Sequence, residues 1–154
     1  MDVTSLYPWV NTTQEYPIGH AIIITNPENQ DIHAYFGEAK VDVIPPYHLL
    51  HPVLPFRQRG KLSLPLCRTC MEEMTKGLLE KLHLCPHSLE ERLLRGKWCT
   101  PELVKAVEVG YHIIHIHEVW HFPEEQCQKG LFADYVNTVK NETGISRVSW
   151  MSVD

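Results

Sequence analysis

Long hydrophobic runs are missing from this sequence of 154 residues, and apolar stretches such as Ala21–Ile24 are far too short to cross a bilayer. Met1 is not followed by the basic and then apolar residues of a secretory signal. Low-complexity segments and internal repeats are also missing. We therefore expect an intracellular protein without a membrane partner, and the sequence does not distinguish nucleus from cytoplasm.

Positive charge is scarce outside the middle of the chain. The formal net charge is −5, yet residues 57–105 carry ten Lys or Arg against six Asp or Glu, whereas residues 1–56 carry one against six. A basic centre between acidic flanks can contact phosphates, and a solvated surface explains the same composition. Arg57, Arg59 and Lys61 cluster in "RQRGK". We expect these three residues to bind DNA phosphates, with a solvated loop as the alternative.

The remaining pattern predicts one mixed α/β domain with a real core, because 44% of the residues are hydrophobic. Alternation and β-branched residues predict strands, and apolar spacing of three and four predicts helices. Thr100-Pro101-Glu102 has the pattern of a helix start, with Thr100 as N-cap, and Gly110 is suited to end that helix. The predicted strands lie at residues 2–7, 19–25, 33–44 and 111–122, and the predicted helices at 71–82, 100–110 and 130–142.

Cysteine and histidine supply the clearest local chemistry. Cys67 and Cys70 form a C-x2-C pair, and Cys85 and His87 form a second close pair after fourteen intervening residues. Two such pairs can converge on one Zn²⁺ ion, for which thiolate and imidazole are the usual structural ligands. The alternative is two unrelated pairs of buried residues. We predict a structural zinc site from these four residues.

The other cysteines and a run of histidines give weaker signals. Cys99 and Cys127 have no partner at ligand spacing, and we expect them to be small core residues. His115, His117 and His121 lie in "HIIHIHEVWH" and would share one face of a regular strand. We expect these histidines to be surface strand residues, with metal binding as the alternative.

The opening residues resemble a polymerase motif. Asp2-Val3-Thr4-Ser5-Leu6-Tyr7-Pro8 is similar to motif A, D-x-x-S-L-Y-P, of family B DNA polymerases. Four later blocks, in order, resemble the protein-primed subgroup, including polymerases of Maverick/Polinton transposons and related viruses. These blocks are "YPIGH", "KVDVIPPYHLLHPVLPFRQRGKLSLPLCRTC", "GKWCTPELVKAVEVGYHIIHIHEVWHF" and "GLFADYVNTVKNETG". The resemblance covers almost all of residues 2–145.

The resemblance implies a role for each segment. Residues 1–15 would be the motif A segment of the palm. Residues 16–128 would be an insertion between palm and fingers, β-rich and carrying the zinc-like cluster, and residues 129–154 would begin the fingers. The implied fold is a partial polymerase palm with this insertion and the first fingers helix. The implied partners are a DNA template and primer, deoxynucleoside triphosphates and a terminal priming protein.

The resemblance also implies a two-metal nucleotidyl transfer centre. Asp2 would be the catalytic carboxylate that bridges two Mg²⁺ ions, and the Val3 carbonyl would add an oxygen ligand. Backbone amides around Ser5, Leu6 and Tyr7 would hold the incoming triphosphate. The ring of Tyr7 would lie against the deoxyribose, where it leaves no space for a ribose 2′-hydroxyl.

Two family motifs are not found in the 154 residues, namely K-x3-N-S-x-Y-G and the Y-x-D-T-D-S turn with the second catalytic aspartate. Because one carboxylate cannot hold two metal ions, we expect an internal piece of a polymerase that is inactive alone. The alternative function is a non-catalytic zinc-binding module retained for DNA or protein contacts.

Overall fold

The computed structural model describes residues 6–77 and 85–143. The described part of the protein is mixed α/β, which confirms the predicted class at that level. It divides into two compact units, one formed by residues 6–20 with 122–143 and the other by residues 21–77 with 85–121. None of the described helices is both long enough and apolar enough to span a bilayer.

The first unit contains two helices and a pair of short antiparallel strands. Pro17 pairs with Cys127 in this ladder, and Gly130, which has a φ of 65°, donates its N–H to the carbonyl oxygen of Gln14 at 3.0 Å. The rings of Tyr16 and Phe132 pack edge to face with centroids 5.3 Å apart. The elements are α1 (Leu6–Thr13), β1 (Glu15–Pro17), β8 (Cys127–Lys129) and α5 (Ala133–Thr143), with a 3-10 turn at Glu124–Gln126.

The second unit is built on a four-stranded antiparallel sheet in the order β2-β7-β3-β6, with a separate β4–β5 hairpin. Ile22 at the start of β2 pairs with His121 at the end of β7. The elements are β2 (Ile22–Thr25), β3 (Gly37–Ile44), β4 (Phe56–Gln58), β5 (Lys61–Ser63), α2 (Arg68–Thr75), α3 (Leu89–Arg92), β6 (Leu94–Cys99), α4 (Thr100–Glu108) and β7 (His112–His121), with a 3-10 turn at Ile32–Ala34.

The core of this unit lies between one face of the sheet and α4. Val41 and Val43 from β3 are fully buried, as are Leu94 from β6 and Ile116 from β7, and α4 contributes Leu103. Valine and isoleucine suit a pleated surface that is buried on one side. Burial of this apolar face provides most of the stability of the unit.

Two expectations about helix starts need correction. Leu6 and Tyr7 belong to α1 and not to a strand, while residues 2–5 lie outside the described residues. The N-cap of α4 is Cys99, whose backbone N–H donates to the Glu102 carboxylate at 3.2 Å. Thr100 is buried, and its hydroxyl oxygen accepts a hydrogen bond from the Gly37 N–H instead. The predicted end of α4 is confirmed, since Gly110 follows it with a φ of 98°.

The two long predicted strands of the sheet are confirmed in shortened form as β3 and β7, and the strand predicted at 19–25 is confirmed as β2. The final helix is confirmed as α5. The helix predicted at 71–82 forms earlier, as α2, and residues 78–84 lie outside the described part of the sequence.

Cys99 is exposed and Cys127 is half-buried, so the expectation that both are core residues was wrong.

Candidate metal centre

The first two candidate zinc ligands are placed by the start of α2. Cys67 is the N-cap of this helix, and its sulfur accepts a hydrogen bond from the Cys70 N–H at 3.4 Å. A residue with an extended backbone before a helix turns its side chain over the first turn. The C-x2-C spacing therefore puts both sulfurs at the same end of α2.

The other two candidates precede α3. Cys85 and His87 lie in irregular backbone just before Ser88, which is the N-cap of α3. Ser88 and Glu91 form a capping box, in which the Ser88 N–H donates to Glu91 at 2.9 Å. Two capped helix starts thus hold the two ligand pairs.

All four side chains converge. Their ligand atoms, three Sγ and the His87 Nδ1, all lie within 4.8 Å of one another. His87 Nδ1 is 3.5 Å from the sulfur of Cys67, 3.2 Å from that of Cys70 and 3.6 Å from that of Cys85. A tetrahedral zinc with ordinary Zn–S and Zn–N bonds separates its sulfur and nitrogen ligands by about 3.5 Å. The residues present therefore fit Zn²⁺.

Glu73 lies behind His87 and is a neighbour that the ligand spacing did not reveal. Its Oε2 atom lies 3.7 Å from His87 Nε2, the ring nitrogen that faces away from the sulfurs. Carboxylates in this position orient ligating histidines and raise their basicity. The available signal was helical, because Glu73 follows Cys70 by three residues and so lies on the same side of α2.

The thiols interact strongly in this site. Burial raises the pKa of Cys67 and of Cys70, and the neighbouring sulfurs raise the pKa of Cys70 further. Burial also acts to raise the pKa of Cys85, but hydrogen bonds to His87 and to the other two cysteines outweigh it, so this pKa is lowered. Because zinc binds thiolates, metal binding to this cluster must release protons and must weaken in acid.

The basic cluster "RQRGK" forms the β4–β5 hairpin. Gln58 pairs with Lys61 across a two-residue turn, in which Arg59 has a φ of 48° and Gly60 a φ of 79°. Positive φ at both central residues is typical of a type I′ turn. The side chains of Arg57, Arg59 and Lys61 are exposed, and none forms an ion pair within the described residues. The turn thus presents three uncompensated cations to solvent.

The histidine run does not form a second metal site within the residues that the structure describes. The rings of His115 and His117 lie 4.5 Å apart, and His117 Nε2 lies 3.1 Å from the Asp42 carboxylate. The pairing with β3 shifts between Lys40 and Val41, so that His117 is an extra residue, a β-bulge.

The bulge places His121 on the core side of the sheet, where its Nδ1 accepts a hydrogen bond from the Phe36 N–H. The expectation that all three histidines share one face was therefore wrong for His121. Across residues 6–77 and 85–143, only the Cys67 cluster converges as a metal site.

The polymerase-like residues are described only in part. Asp2, Val3 and Ser5 lie outside the described residues, so their predicted roles stay predictions. Leu6 begins α1. Tyr7 lies in the first turn of the same helix with 82% of its surface exposed, which leaves its ring accessible to a ligand.

Comparison with known proteins identifies the family. Residues 1–142 match the family model described as DNA polymerase type B, organellar and viral. No curated protein and no solved structure matches this sequence. Since the family match covers most of the 154 residues, the protein belongs to the organellar and viral type B DNA polymerases.

Proposed function

We propose that residues 21–121 form a zinc-stabilised, DNA-contacting insertion within a protein-primed type B DNA polymerase. The observation that carries this proposal is the β4–β5 hairpin, which exposes Arg57, Arg59 and Lys61 without acidic partners among the described residues. Such a cluster gains affinity for a nucleic-acid backbone by releasing condensed counterions. The zinc ligands begin at Cys67, just after the hairpin, and anchor the segment that carries it.

The path of the backbone supports an insertion. The unit begins near Ile22 and ends at His121, and these two residues are paired neighbours in the β2–β7 ladder. An inserted unit needs entry and exit points that are close together. In this proposal the palm segment and the start of the fingers, which the resemblance puts at residues 1–15 and 129–154, lie on either side of this unit in the sequence.

The proposed reaction is nucleotidyl transfer from deoxynucleoside triphosphates to a primer on a DNA template. Asp2 and the Val3 carbonyl would hold Mg²⁺, which stabilises the attacking and leaving oxygens of the displacement. Tyr7 would contact the deoxyribose, and amides near Ser5 and Leu6 would contact the triphosphate. A terminal priming protein would supply the first hydroxyl. These roles follow from the motif A resemblance.

Primer extension tests the catalytic part of the proposal. The 154-residue protein with Mg²⁺ and all four deoxynucleotides should give no product, because the second aspartate motif is not in it. A protein extended with K-x3-N-S-x-Y-G and Y-x-D-T-D-S segments should extend the primer, and Asp2→Asn in that longer protein should abolish extension while DNA binding persists.

Asp31→Asn is the matched control, because Asp31 caps the Ile32–Ala34 turn and asparagine can keep that cap. This variant should retain primer extension. Extension by the Asp2→Asn enzyme, or by the 154-residue protein in an Asp2-dependent manner, would contradict the assignment.

A non-catalytic zinc-binding module, retained for DNA or protein contacts, is the second candidate function. It is favoured by the fact that the complete ligand set lies within residues 67–87 of a compact unit. Coding sequence next to this segment discriminates between the two functions. Downstream codons for the two missing motifs favour the polymerase, and a stop codon after Asp154 favours the module.

A further inference from the structure

The two pairs of zinc ligands lie on different elements, so their relative position depends on contacts between those elements. Cys67 and Cys70 belong to the start of α2, while Cys85 and His87 precede α3. A tetrahedral site tolerates only small displacements of its ligands. The affinity for zinc therefore depends on how firmly the starts of α2 and α3 are held together, and side chains that do not touch the metal can set it.

Thr69 connects the two helices directly. Its hydroxyl donates a hydrogen bond to the carbonyl oxygen of Glu91 at 2.9 Å, across 22 residues of sequence. Thr69 lies between the two cysteines of the C-x2-C pair, in the first turn of α2. Glu91 also forms the capping box of α3 with Ser88, which directly follows His87. The hydrogen bond thus joins the helical turn of one ligand pair to that of the other.

The helix α2 itself gives no reason for a threonine at position 69. Threonine is a poor helix former, because its β-branched side chain loses freedom against the preceding turn. Its hydroxyl does not cap α2, since Cys67 is the N-cap and its sulfur accepts from the Cys70 N–H. The Glu91 carbonyl is one of the last in α3, and such carbonyls have no partner inside their own helix. The hydroxyl of Thr69 supplies that partner from α2.

Arg92, the last residue of α3, gives this hydrogen bond a firm support. Only 1% of its surface is exposed, and its Nη2 donates to the carbonyl oxygens of Pro45 and Pro46 at 2.9 and 2.8 Å. These two prolines directly follow the core strand β3. The same nitrogen approaches the carbonyl oxygen of Leu66, the residue before the first cysteine ligand, at 3.3 Å. Arg92 thus anchors α3 to the core, and Thr69 connects the first turn of α2 to that anchor.

We propose that Thr69 is a positioning residue of the zinc centre, and that its hydrogen bond to Glu91 sets the distance between the two ligand pairs. The inference rests on the zinc site of the proposed function, and it goes beyond that function by assigning part of the metal affinity to a contact between α2 and α3. It is independent of DNA binding and of polymerase activity.

Thr69→Val removes the hydroxyl and keeps the shape of the side chain, so it tests the hydrogen bond. In the full 154-residue protein, the zinc affinity measured by competition with a chromophoric chelator should fall about three- to tenfold, because binding must then also order the two ligand pairs. Cobalt in place of zinc gives a second readout, since the visible absorption of tetrahedral Co²⁺ depends on ligand geometry. The Co²⁺ bands should shift or lose intensity in this variant, which a loss of overall stability alone would not cause.

Thr69→Ser is the rescue variant, because its hydroxyl can donate the same hydrogen bond, and it should restore the affinity and the Co²⁺ bands. Thr75→Val is the matched control on the same helix. The Thr75 hydroxyl donates to the Glu72 carbonyl oxygen at 2.7 Å, a contact that stays inside α2. This variant makes the same chemical change without affecting α3, and it should bind zinc and cobalt as the parent does.

Three results would overturn the inference and leave the zinc site in place: unchanged affinity and Co²⁺ bands in Thr69→Val, an equal loss of affinity in Thr75→Val, or no rescue by Thr69→Ser. A parent protein that binds neither zinc nor cobalt would overturn the zinc part of the proposed function, and this inference with it. Metal binding by the parent therefore distinguishes the two failures.

Discussion

At the scale of single residues, the metal centre depends on its four ligands. The purified protein should contain one zinc per molecule, and Cys67→Ser with Cys85→Ser should reduce the zinc content to background, because two of the four ligand atoms are lost. Elemental analysis measures this. Equal zinc in the parent and in the double variant would contradict the site.

Glu73→Ala tests the carboxylate behind His87. Its Oε2 lies 3.7 Å from His87 Nε2, and loss of such a partner typically lowers metal affinity by about 10- to 100-fold. Competition with a chromophoric chelator gives the affinity. Glu72→Ala is the matched control on the same helix and should bind zinc as the parent does. A Glu73→Ala protein with unchanged affinity would remove Glu73 from the centre.

Asp42 makes stability depend on pH. Arg95 donates two hydrogen bonds to its carboxylate, both at 2.6 Å, and these outweigh burial, with a further contribution from His117, so the pKa of Asp42 is lowered. A lowered pKa contributes stability above the unfolded value of about 3.9, and this contribution disappears as the pH falls through the folded value. Asp42→Asn should therefore cost about 1–3 kcal/mol at neutral pH.

Denaturant unfolding between neutral pH and about pH 2.5 checks this prediction, because the contribution is lost only below the unfolded pKa of about 3.9. The difference between the parent and Asp42→Asn should be constant in the neutral range and should shrink near the acid end. Glu38→Gln, on the same exposed face of β3, controls for loss of zinc in acid. A difference that does not shrink would mean that the Asp42 charge does not stabilise the fold.

At the scale of elements, β6 shows that strand propensity alone does not predict the effect of a substitution on stability. A β carbon at Gly96 would lie 2.6 Å from the ring of Trp98, which is buried and donates its indole N–H to the Pro55 carbonyl at 2.7 Å. Strand propensity predicts that Gly96→Val stabilises the strand. The structure predicts a loss of about 2–3 kcal/mol, because Trp98 must move away from its hydrogen-bond partner.

The matched control for Gly96→Val is Lys97→Val, which places the same side chain one residue further along β6 on the exposed face. It should change the free energy of unfolding by less than about 0.5–1 kcal/mol. Thermal or denaturant unfolding compares the two. A stabilised Gly96→Val protein would show that Trp98 can move without cost.

Periodicity predicted the buried strands and helices well, but it did not predict the β-bulge in β7 or the role of Thr100. The strands β3 and β7 follow alternation of apolar residues, and α4 ends at Glu108, shortly before the left-handed backbone at Gly110. The bulge at His117 has no local signal, because it arises from pairing with β3, and it moves His121 to the other face. The sequence pattern predicted Thr100 as the N-cap of α4, because a threonine hydroxyl can accept a hydrogen bond from the first turn of a helix. In the fold, this hydroxyl accepts a hydrogen bond from the Gly37 N–H instead.

The candidate site was predictable where it depends on ligand spacing. The C-x2-C and C-x-H pairs indicated all four ligands, which the structure brings together. Outside the site, the burial of Arg92 at the end of α3 was not predictable, because it depends on the carbonyl groups of Pro45 and Pro46, which lie far from it in the sequence. A long-range partner of this kind leaves no periodic trace.

At the scale of the whole molecule, the proposed function gives separate tasks to separate parts of the protein. Motif A residues would hold Mg²⁺, the cysteine cluster would fix the middle unit, and the hairpin would contact DNA. The net charge of −5 opposes general attraction to DNA. Any DNA binding by the second unit must therefore depend on a local cluster of cations. The β4–β5 hairpin is consequently the most informative place for substitutions.

The most direct measurement is the salt dependence of binding to a primer–template duplex by the zinc-loaded protein. Replacing Arg57, Arg59 and Lys61 by alanine should weaken binding and lower the salt slope by about 0.9 for each phosphate that the hairpin no longer neutralises. Replacing the exposed Lys40, Lys105 and Lys129 removes the same charge and should have a much smaller effect on both quantities. A hairpin variant with the affinity and slope of the parent, or no weaker than the control, would contradict the proposed DNA contact.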